Sequence, residues 1–501
     1  MRFDNFYKDT LILTISNLAT GILRFAFSII LSNKLGPEGL GLYSIIMPVY
    51  DLFCCVVCGG MIIAVSRKAA IFSGNKDFKN VNKLIHIAII FDLLWSLFIA
   101  ILVFFNSKFI SLFLIKDIRT LYSIIIICPA LVFVALSSVF KGYFYGISKA
   151  KIPAYIDIFE KAIRIGVVIG ILNILMLKTM VQTISAVYAA LTLGELISFL
   201  MLYAAYIMYR GKFKTTNTQR EGNGQLLFDV LIVAVPLCIN GFLGSILNTA
   251  STLVLPRRLV TAGIDYDTAL SLIGKFTGMA LNITFFPMVV ITAMSTVLVP
   301  EISQNLSKKN FYAMEQRIVE VLKLSFYLGI ATMIICLCIP NSLGKLFFGR
   351  SDLGVFIVTS ALCLPITYAA ASTYSILSGL GKQTTILINS LLVSVEELIL
   401  LYTLTAVPSI NIYGFAITLF VTGVTSFVLN IYSINKICHI GFSSTNMLID
   451  IMLSILVFLV LGIMNHLISD YIFALKNILI IIFGFLLYFF LTLVVKEKIS
   501  N

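Results

Sequence analysis

Long apolar runs separated by short polar breaks dominate this chain of 501 residues. Each run is about as long as the ~20 residues that an α-helix needs to cross the hydrocarbon core of a bilayer. The runs lack the alternation of apolar and polar residues that is typical of a transmembrane β-barrel. The pattern therefore predicts an all-α polytopic membrane protein with about 14 transmembrane helices. The predicted spans lie near residues 10–33, 40–66, 83–107, 118–142, 153–178, 181–209, 225–256, 268–300, 316–340, 353–377, 384–406, 411–436, 446–468 and 472–495.

Composition and charge agree with this class of protein. Hydrophobic residues make up 59% of the chain and charged residues 12%, which is far from the balance of a soluble domain. The net charge of +13 comes from Lys and Arg in short loops, with about twice as many in the segments assigned to the cytoplasm as in the outer loops. This bias predicts a protein of the cytoplasmic membrane with both termini inside. It accounts for the positive charge by topology, so we expect no nucleic acid as a partner.

A long polar break after six predicted spans marks the boundary between two lobes. Segments 63–78 and 298–313 are similar, as are 145–153 and 378–386, and the members of the two pairs are separated by nearly the same offset. Such a parallel duplication of a six-helix unit is one of the known transporter plans. The predicted divisions are a first lobe at 1–210, a cytoplasmic linker at 211–224, a second lobe at 225–440 and an appended helix pair at 441–501.

Three basic residues lie inside predicted spans, where an ionisable side chain must pair, face a cavity or reach the interface. Arg24, in the stretch TGILRFAFSII, lies about 21 Å along its helix, too deep to reach the interface easily. Arg164 lies about 16 Å into the fifth span, and Lys275 about 10 Å into the eighth span, which contains no acid. These three side chains are the candidate binding groups for an anionic substrate.

The fifth span also offers a purely structural interpretation of Arg164. In the stretch DIFEKAIR, Asp157 stands four residues before Lys161, and Glu160 stands four residues before Arg164. Side chains with this spacing are neighbours on a helix and form intrahelical ion pairs. The sequence leaves both interpretations of Arg164 open.

Acidic residues inside spans are candidates for counter-ions or for ion coupling. We expect Asp51 and Glu195 to neutralise the buried cations as static counter-ions. Glu396 is a candidate for either role, a counter-ion or a group that binds and releases a proton or Na⁺. Glu397 follows directly on Glu396, and adjacent helical residues point about 100° apart, so at most one of the two faces a narrow cavity squarely. Apart from such a coupling ion, the sequence predicts neither a cofactor nor a metal.

The sequence contains no recognisable catalytic motif. The three histidines are scattered, and Cys55 and Cys58, although spaced like a redox pair, lie inside an apolar run without further ligands. A carrier with cations in its cavity indicates an anionic cargo. Two alternatives remain open: a cation-coupled multidrug extruder, which needs a buried acid and an aromatic pocket, and a membrane scaffold for envelope assembly that transports nothing.

Several segments carry a resemblance to a known family. The stretches ILSNKLGPEGLGLYSIIMPVYDLF, GGMIIAVSRKAA, YGISKAKIP, VPEISQNLSKKN and ILSGLGKQ are similar to the polysaccharide-transporter branch of the multidrug/oligosaccharidyl-lipid/polysaccharide (MOP) exporter superfamily. Within this branch the chain most resembles the stage V sporulation protein B group, which is related to the lipid II flippase. The resemblance covers most of the chain and rests on the order and spacing of these segments.

The resemblance implies a fold and a cargo. The fold would be two six-helix lobes in a V around a central cavity, followed by two extra helices. The cargo would be an undecaprenyl-pyrophosphate-linked saccharide or peptidoglycan precursor, carried by a monomer that works beside cell-wall synthesis enzymes, in cell-wall or spore-cortex synthesis. Basic side chains hold the pyrophosphate in the lipid II flippase, and Arg24 is the residue here best placed to match one. The chain departs from the family in having SNKLG at 32–36, where relatives often place an arginine.

Overall fold

The computed structural model describes residues 2–174, 179–210, 221–438, 444–468 and 470–500. These residues are almost entirely helical, and none of them forms a strand. The predicted all-α class is therefore confirmed. The α-helices are α1 (Arg2–Cys58), α2 (Met61–Gly74), α3 (Phe78–Phe105), α4 (Ser107–Phe109), α5 (Leu121–Gly146), α6 (Lys151–Ile174), α7 (Met180–Arg210), α8 (Asn223–Thr261), α9 (Tyr266–Ile273), α10 (Leu281–Phe285), α11 (Met288–Ser307), α12 (Phe311–Cys338), α13 (Pro340–Phe348), α14 (Gly354–Ala361), α15 (Leu364–Gly379), α16 (Gln383–Leu404), α17 (Tyr413–Asn435), α18 (Ser444–Leu467) and α19 (Phe473–Ser500).

Eleven helical segments of the described chain are long and apolar enough to cross a membrane. The number rises to 12 if Ser351–Ala361 and Leu364–Gly379, which are inclined at 58° to each other, form one span. The predicted count of fourteen is not confirmed. The first two predicted spans lie within one apolar helical stretch, Ile12–Gly74. Helix α6, the fifth predicted span, is absent from these candidates and carries charged residues from Asp157 to Arg164.

Glycine accounts for the two interruptions of that first stretch. Gly36 bends α1 with φ 68° and ψ −178°, and Gly60 separates α1 from α2 with φ 77°. Both φ values fall in the left-handed region that glycine adopts without steric penalty. Gly36 thus lies at a kink between two helices, in the short break that separates the predicted spans 10–33 and 40–66.

The first compact unit comprises Met1–Ile30 and Leu42–Val254. Helix α5 packs against α2, α3 and α7, and α6 packs against α7. The core of this unit is apolar and aromatic, and it includes Val65, Leu84, Phe140, Tyr143 and Leu202. Asp77 precedes helix α3 as its N-cap, and its side chain accepts a hydrogen bond from the backbone amide of Asn80.

The second compact unit comprises Leu31–Gly41 and Leu255–Asn501. Helix α15 packs against α11, α12 and α17, and α16 packs against α17. The terminal helices α18 and α19 pack on each other and on α12. Buried residues from α11, α12, α15 and α17 form the core, among them Ile302, Ile318, Ile376 and Ile434.

The segment Leu31–Gly41 belongs to this second unit because of two close backbone contacts. A Cβ atom on Gly274 would overlap the carbonyl oxygen of Pro37, and a Cβ atom on Gly41 would overlap the carbonyl oxygen of Leu270. Only glycine allows the two backbones to approach this closely. Gly274 opens a π-helical turn, Gly274–Ala280, between α9 and α10.

The two units do not coincide with the predicted lobes. Residues 225–254 were assigned to the second lobe, yet they pack within the first unit, and Leu31–Gly41 packs within the second. The predicted lobes are defined by the repeat in the sequence, whereas the units are defined by contacts between residues. The units therefore do not test the lobe boundaries, which remain predictions. Residues 211–220 of the predicted linker, and the boundary at 440/441, lie outside the described residues.

Candidate functional site

Helix α1 is fixed within the first unit by polar contacts to its neighbours. The Ser16 hydroxyl donates to the carbonyl oxygen of Ala154 on α6, at 3.2 Å. The Tyr188 hydroxyl on α7 donates to the carbonyl oxygen of Tyr43 at 3.1 Å, and the two tyrosine rings stack with centroids 5.3 Å apart. These contacts hold both halves of α1 beside α6 and α7, which carry Glu160, Arg164 and Glu195.

Arg24 lies near the middle of the first half of α1, and its side chain is exposed. It forms no hydrogen bond or ion pair within the described part of the chain. Its charge acts on Asp51 and Tyr43, which lie in electrostatic range on the second half of α1. Asp51 is also exposed and does not form a direct ion pair with Arg24. The guanidinium therefore keeps its hydrogen-bond donors available for a ligand.

Arg164 lies between two carboxylates. Its Nη2 is 2.6 Å from Oε1 of Glu160 and donates a hydrogen bond of 2.8 Å to Oε1 of Glu195 on α7. The side chains of Arg164 and Glu195 are 17% and 20% exposed, whereas that of Glu160 is 4% exposed. The structure thus contains the Glu160–Arg164 pair that the spacing predicts and gives Glu195 the position of a counter-ion.

Two lysines extend this group of charges. Lys161 Nζ is 3.5 Å from Oε2 of Glu160, and Lys141 Nζ on α5 is 2.8 Å from Oδ1 of Asp157. The prediction that Asp157 pairs with Lys161 is therefore wrong, because Lys141 from the neighbouring helix binds the carboxylate instead. We call Lys141, Asp157, Glu160, Lys161, Arg164 and Glu195 the charge cluster of the first unit.

A glycine on α7 makes room for this cluster. A Cβ atom on Gly194 would lie 2.7 Å from Oε1 of Glu160 and 3.2 Å from Nε of Arg164. Any other residue at this position would push the two side chains away from α7. The roles of Lys141 and Gly194 are not predictable from the sequence, because they depend on which helices are neighbours.

Lys275, in the π-helical turn of the second unit, is paired. Its Nζ lies 2.7 Å from Oδ2 of Asp352, and Arg350 binds the same carboxylate through its Nε at 3.0 Å. Asp352 lies 77 residues after Lys275 in the sequence, outside the predicted span of Lys275. The pair was therefore not predictable from the acids of that span. A role for Lys275 in substrate binding remains a prediction, and it requires this ion pair to open.

Glu396 and Glu397 lie in different environments within the second unit. Glu396 accepts a hydrogen bond of 3.0 Å from the Thr425 hydroxyl, and its other oxygen is buried without a hydrogen-bond partner among the described residues. Glu397 faces a cavity of about 600 Å³, whose lining includes the hydroxyl groups of Ser295, Tyr374 and Thr422. Among the described residues that line this cavity, Glu397 is the one with a charge.

Comparison with known proteins identifies relatives over most of the chain. Residues 6–306 match the family described as polysaccharide biosynthesis protein. Stage V sporulation protein B of Bacillus subtilis (strain 168) is 25% identical over 479 residues, which cover 94% of this chain and 91% of the relative. Lipid II flippase MurJ of the same organism is 20% identical over 415 residues, which cover 78% of this chain and 76% of the relative.

Solved structures show the same fold. Lipid II flippase MurJ in an inward closed conformation aligns with a TM-score of 0.73 at 17% identity, covering 98% of this chain and 100% of the other. An inward-facing multidrug resistance MATE family transporter of the MOP superfamily aligns with a TM-score of 0.63 at 18% identity, covering 85% of this chain and 95% of the other. At these identities the likeness is one of fold.

Proposed function

Because the chain belongs to the polysaccharide biosynthesis protein family and has the fold of MOP superfamily transporters, we propose that it is a flippase for a lipid-linked saccharide. The cargo is an undecaprenyl-pyrophosphate-linked saccharide or a peptidoglycan precursor similar to lipid II. The protein is a multi-pass transporter and not an enzyme. It works as a monomer in the cytoplasmic membrane with both termini inside, in cell-wall or spore-cortex synthesis beside the enzymes of that pathway.

The main observation in support of this proposal is the position of Arg24. A permanently charged side chain deep in an apolar helix is costly in a membrane unless it serves a function. This one is exposed and unpaired within the described chain. A guanidinium suits a diphosphate because its fork of N–H donors binds two oxygens at once. The names and the fold of the relatives support a lipid-linked cargo.

The mechanism that we propose is alternating access. The diphosphate headgroup enters from the cytoplasmic side and is neutralised by Arg24, with Arg164 and Lys275 as further cations that become available when their ion pairs open. Movement of the lobes then exposes the headgroup to the outer side. Asp51 and Glu195 balance the cations while the site is empty, and Glu396 or Glu397 couples the cycle to Na⁺ or protons.

One observation favours a second candidate, the cation-coupled multidrug extruder. Glu397 is a single carboxylate in a cavity that also contains the aromatic rings of Phe285 and Tyr374. A buried acid beside aromatic rings is an environment in which an organic cation can bind. The two candidates differ in the charge of the cargo, so transport assays separate them.

The experiment uses purified protein in vesicles that contain a fluorescent lipid-linked precursor. We expect the labelled headgroup to become accessible on the opposite leaflet at a rate that depends on the protein. Uptake of an ethidium-like cation against a Na⁺ or proton gradient, without headgroup movement, would favour the extruder. If inserted and folded protein shows neither activity, the flippase proposal is wrong and the membrane scaffold is the remaining alternative.

A further inference from the structure

The charge cluster of the first unit is electrically balanced. Lys141, Lys161 and Arg164 carry three positive charges, and Asp157, Glu160 and Glu195 carry three negative ones. An anionic ligand cannot add to such a cluster without leaving an excess of negative charge. A diphosphate that binds Arg164 must therefore displace a carboxylate or be accompanied by a cation.

Glu195 is the carboxylate that a ligand can displace. It is 20% exposed, comes from a different helix than Arg164 and holds the guanidinium through one hydrogen bond. Glu160 is 4% exposed and lies on the same helix as Arg164, so it remains beside it. The Nε of Arg164 is buried beside Gly194 on α7, so the donor that displacement of Glu195 frees for an incoming oxygen is Nη2.

Displacement changes the electrostatic environment of Glu195. The carboxylate loses its closest cation and gains an anionic neighbour, and both changes favour the protonated form of a carboxyl group. Arg164 contacts Glu195 directly. The other groups close enough to interact with Glu195 electrostatically are Lys141 on α5, Glu160 and Lys161 on α6, and Tyr50, Cys54 and Cys58 on α1. The two lysines have their own acidic partners, Asp157 and Glu160, so neither replaces Arg164 as a partner for Glu195.

We propose that Glu195 takes up a proton when a diphosphate displaces it from Arg164, so that the anionic substrate and the proton bind together. This inference rests on the proposed function, since it requires a diphosphate at the cluster. The contribution of Arg164 then depends on a proton: Arg164 binds the diphosphate only when a proton is available for Glu195. Substrate binding by the first unit is then linked to pH through a residue of the site itself.

The test measures proton uptake when a soluble probe binds. The probe is a diphosphate diester that carries a short isoprenyl chain and one sugar, because a diester has no group that titrates near neutral pH. Titration calorimetry at pH 7 in buffers with different ionisation enthalpies gives the number of protons bound per probe. We expect about one proton for the wild type and about none for Glu195→Gln.

The wild type alone gives an independent readout. Linkage of one proton makes the affinity rise by up to about tenfold for each unit of pH decrease, within the range where Glu195 titrates. The affinity of Glu195→Gln is expected to change little with pH. The matched control is Glu301→Gln, which alters another glutamate paired with an arginine, Arg317 at 3.0 Å, in the second unit. This control is expected to bind the probe and take up protons like the wild type.

The outcomes separate the two proposals. Probe binding with equal proton uptake by the wild type and Glu195→Gln would overturn the proton linkage and leave the flippase function standing. Probe binding by the wild type with an affinity that is constant between pH 6 and pH 8 would overturn the linkage as well, without reference to any variant. No binding by any of the proteins would overturn the proposed function and the linkage with it.

Discussion

Replacing Arg24 by alanine is expected to slow movement of the lipid-linked headgroup strongly while the protein still inserts and folds. The side chain is exposed and has no ion pair within the described chain, so its removal leaves no buried partner unsatisfied. The loss of a hydrogen bond to a charged ligand costs about 1.5–3 kcal/mol. Transport should therefore fall by at least about tenfold, measured as the initial rate of headgroup exposure in vesicles.

Two matched variants sharpen this prediction. Arg24→Lys keeps the charge and loses the forked donors, so we expect an intermediate rate. Arg317→Ala removes a different arginine, which is partly exposed and paired with Glu301 and Glu320, and it should transport like the wild type. Wild-type transport by Arg24→Ala would remove the basis for assigning the diphosphate to this residue.

Replacing Arg164 by alanine is expected to destabilise the protein, in contrast to Arg24→Ala. The substitution leaves Glu160 and Glu195 without their shared cation, and breaking a buried ion pair by removing one partner costs about 3–5 kcal/mol. Both side chains of the Arg164–Glu195 pair are less than about a quarter exposed, so solvent screens the effect only partly. The expected result is a clearly lower unfolding temperature in detergent at pH 7.

A variant in which Arg164 and both of its carboxylate partners are neutral tests whether unpaired charge causes the loss of stability. In Arg164→Met combined with Glu160→Gln and Glu195→Gln no buried carboxylate is left without its cation. Lys161, which is 31% exposed, loses only a 3.5 Å contact with Glu160, so much of the stability should return. Gly166→Ala, two residues away on α6 where a Cβ meets no atom within 4 Å, should unfold at or slightly above the wild-type temperature. Equal unfolding temperatures for Arg164→Ala and the triple variant would show that unpaired charge is not the cause.

The fold class was predictable because the hydrophobic runs are long and frequent. The predicted number of fourteen spans was not confirmed, for two local reasons. At Gly36 two helices meet at a kink without a loop, so both fall within one apolar stretch. The charges from Asp157 to Arg164 separate α6 from the apolar candidates. Hydropathy reports the length of an apolar run, whereas the path of the backbone at a glycine depends on packing such as that between Gly274 and Pro37.

The site was predictable only where partners are close along the chain. The spacing of Glu160 and Arg164 indicated their ion pair, which the structure contains. The partners of Asp157 and Lys275 come from other elements, Lys141 and Asp352, and the sequence carries no signal for them. Arg24 was recognisable from depth alone, since a charge in the middle of an apolar run needs an explanation wherever its partners lie.

Arg24 is proposed to bind the diphosphate of the cargo, and the position of a bound diphosphate relative to Arg24 tests this role directly. The measurement is an experimental structure of the protein in a lipid nanodisc with the short-chain diphosphate diester bound. We expect phosphate oxygens about 2.7–2.9 Å from the guanidinium nitrogens of Arg24, the range of charge-assisted hydrogen bonds. A diphosphate bound elsewhere, with Arg24 turned toward the acyl chains or locked onto Asp51, would contradict the proposed role.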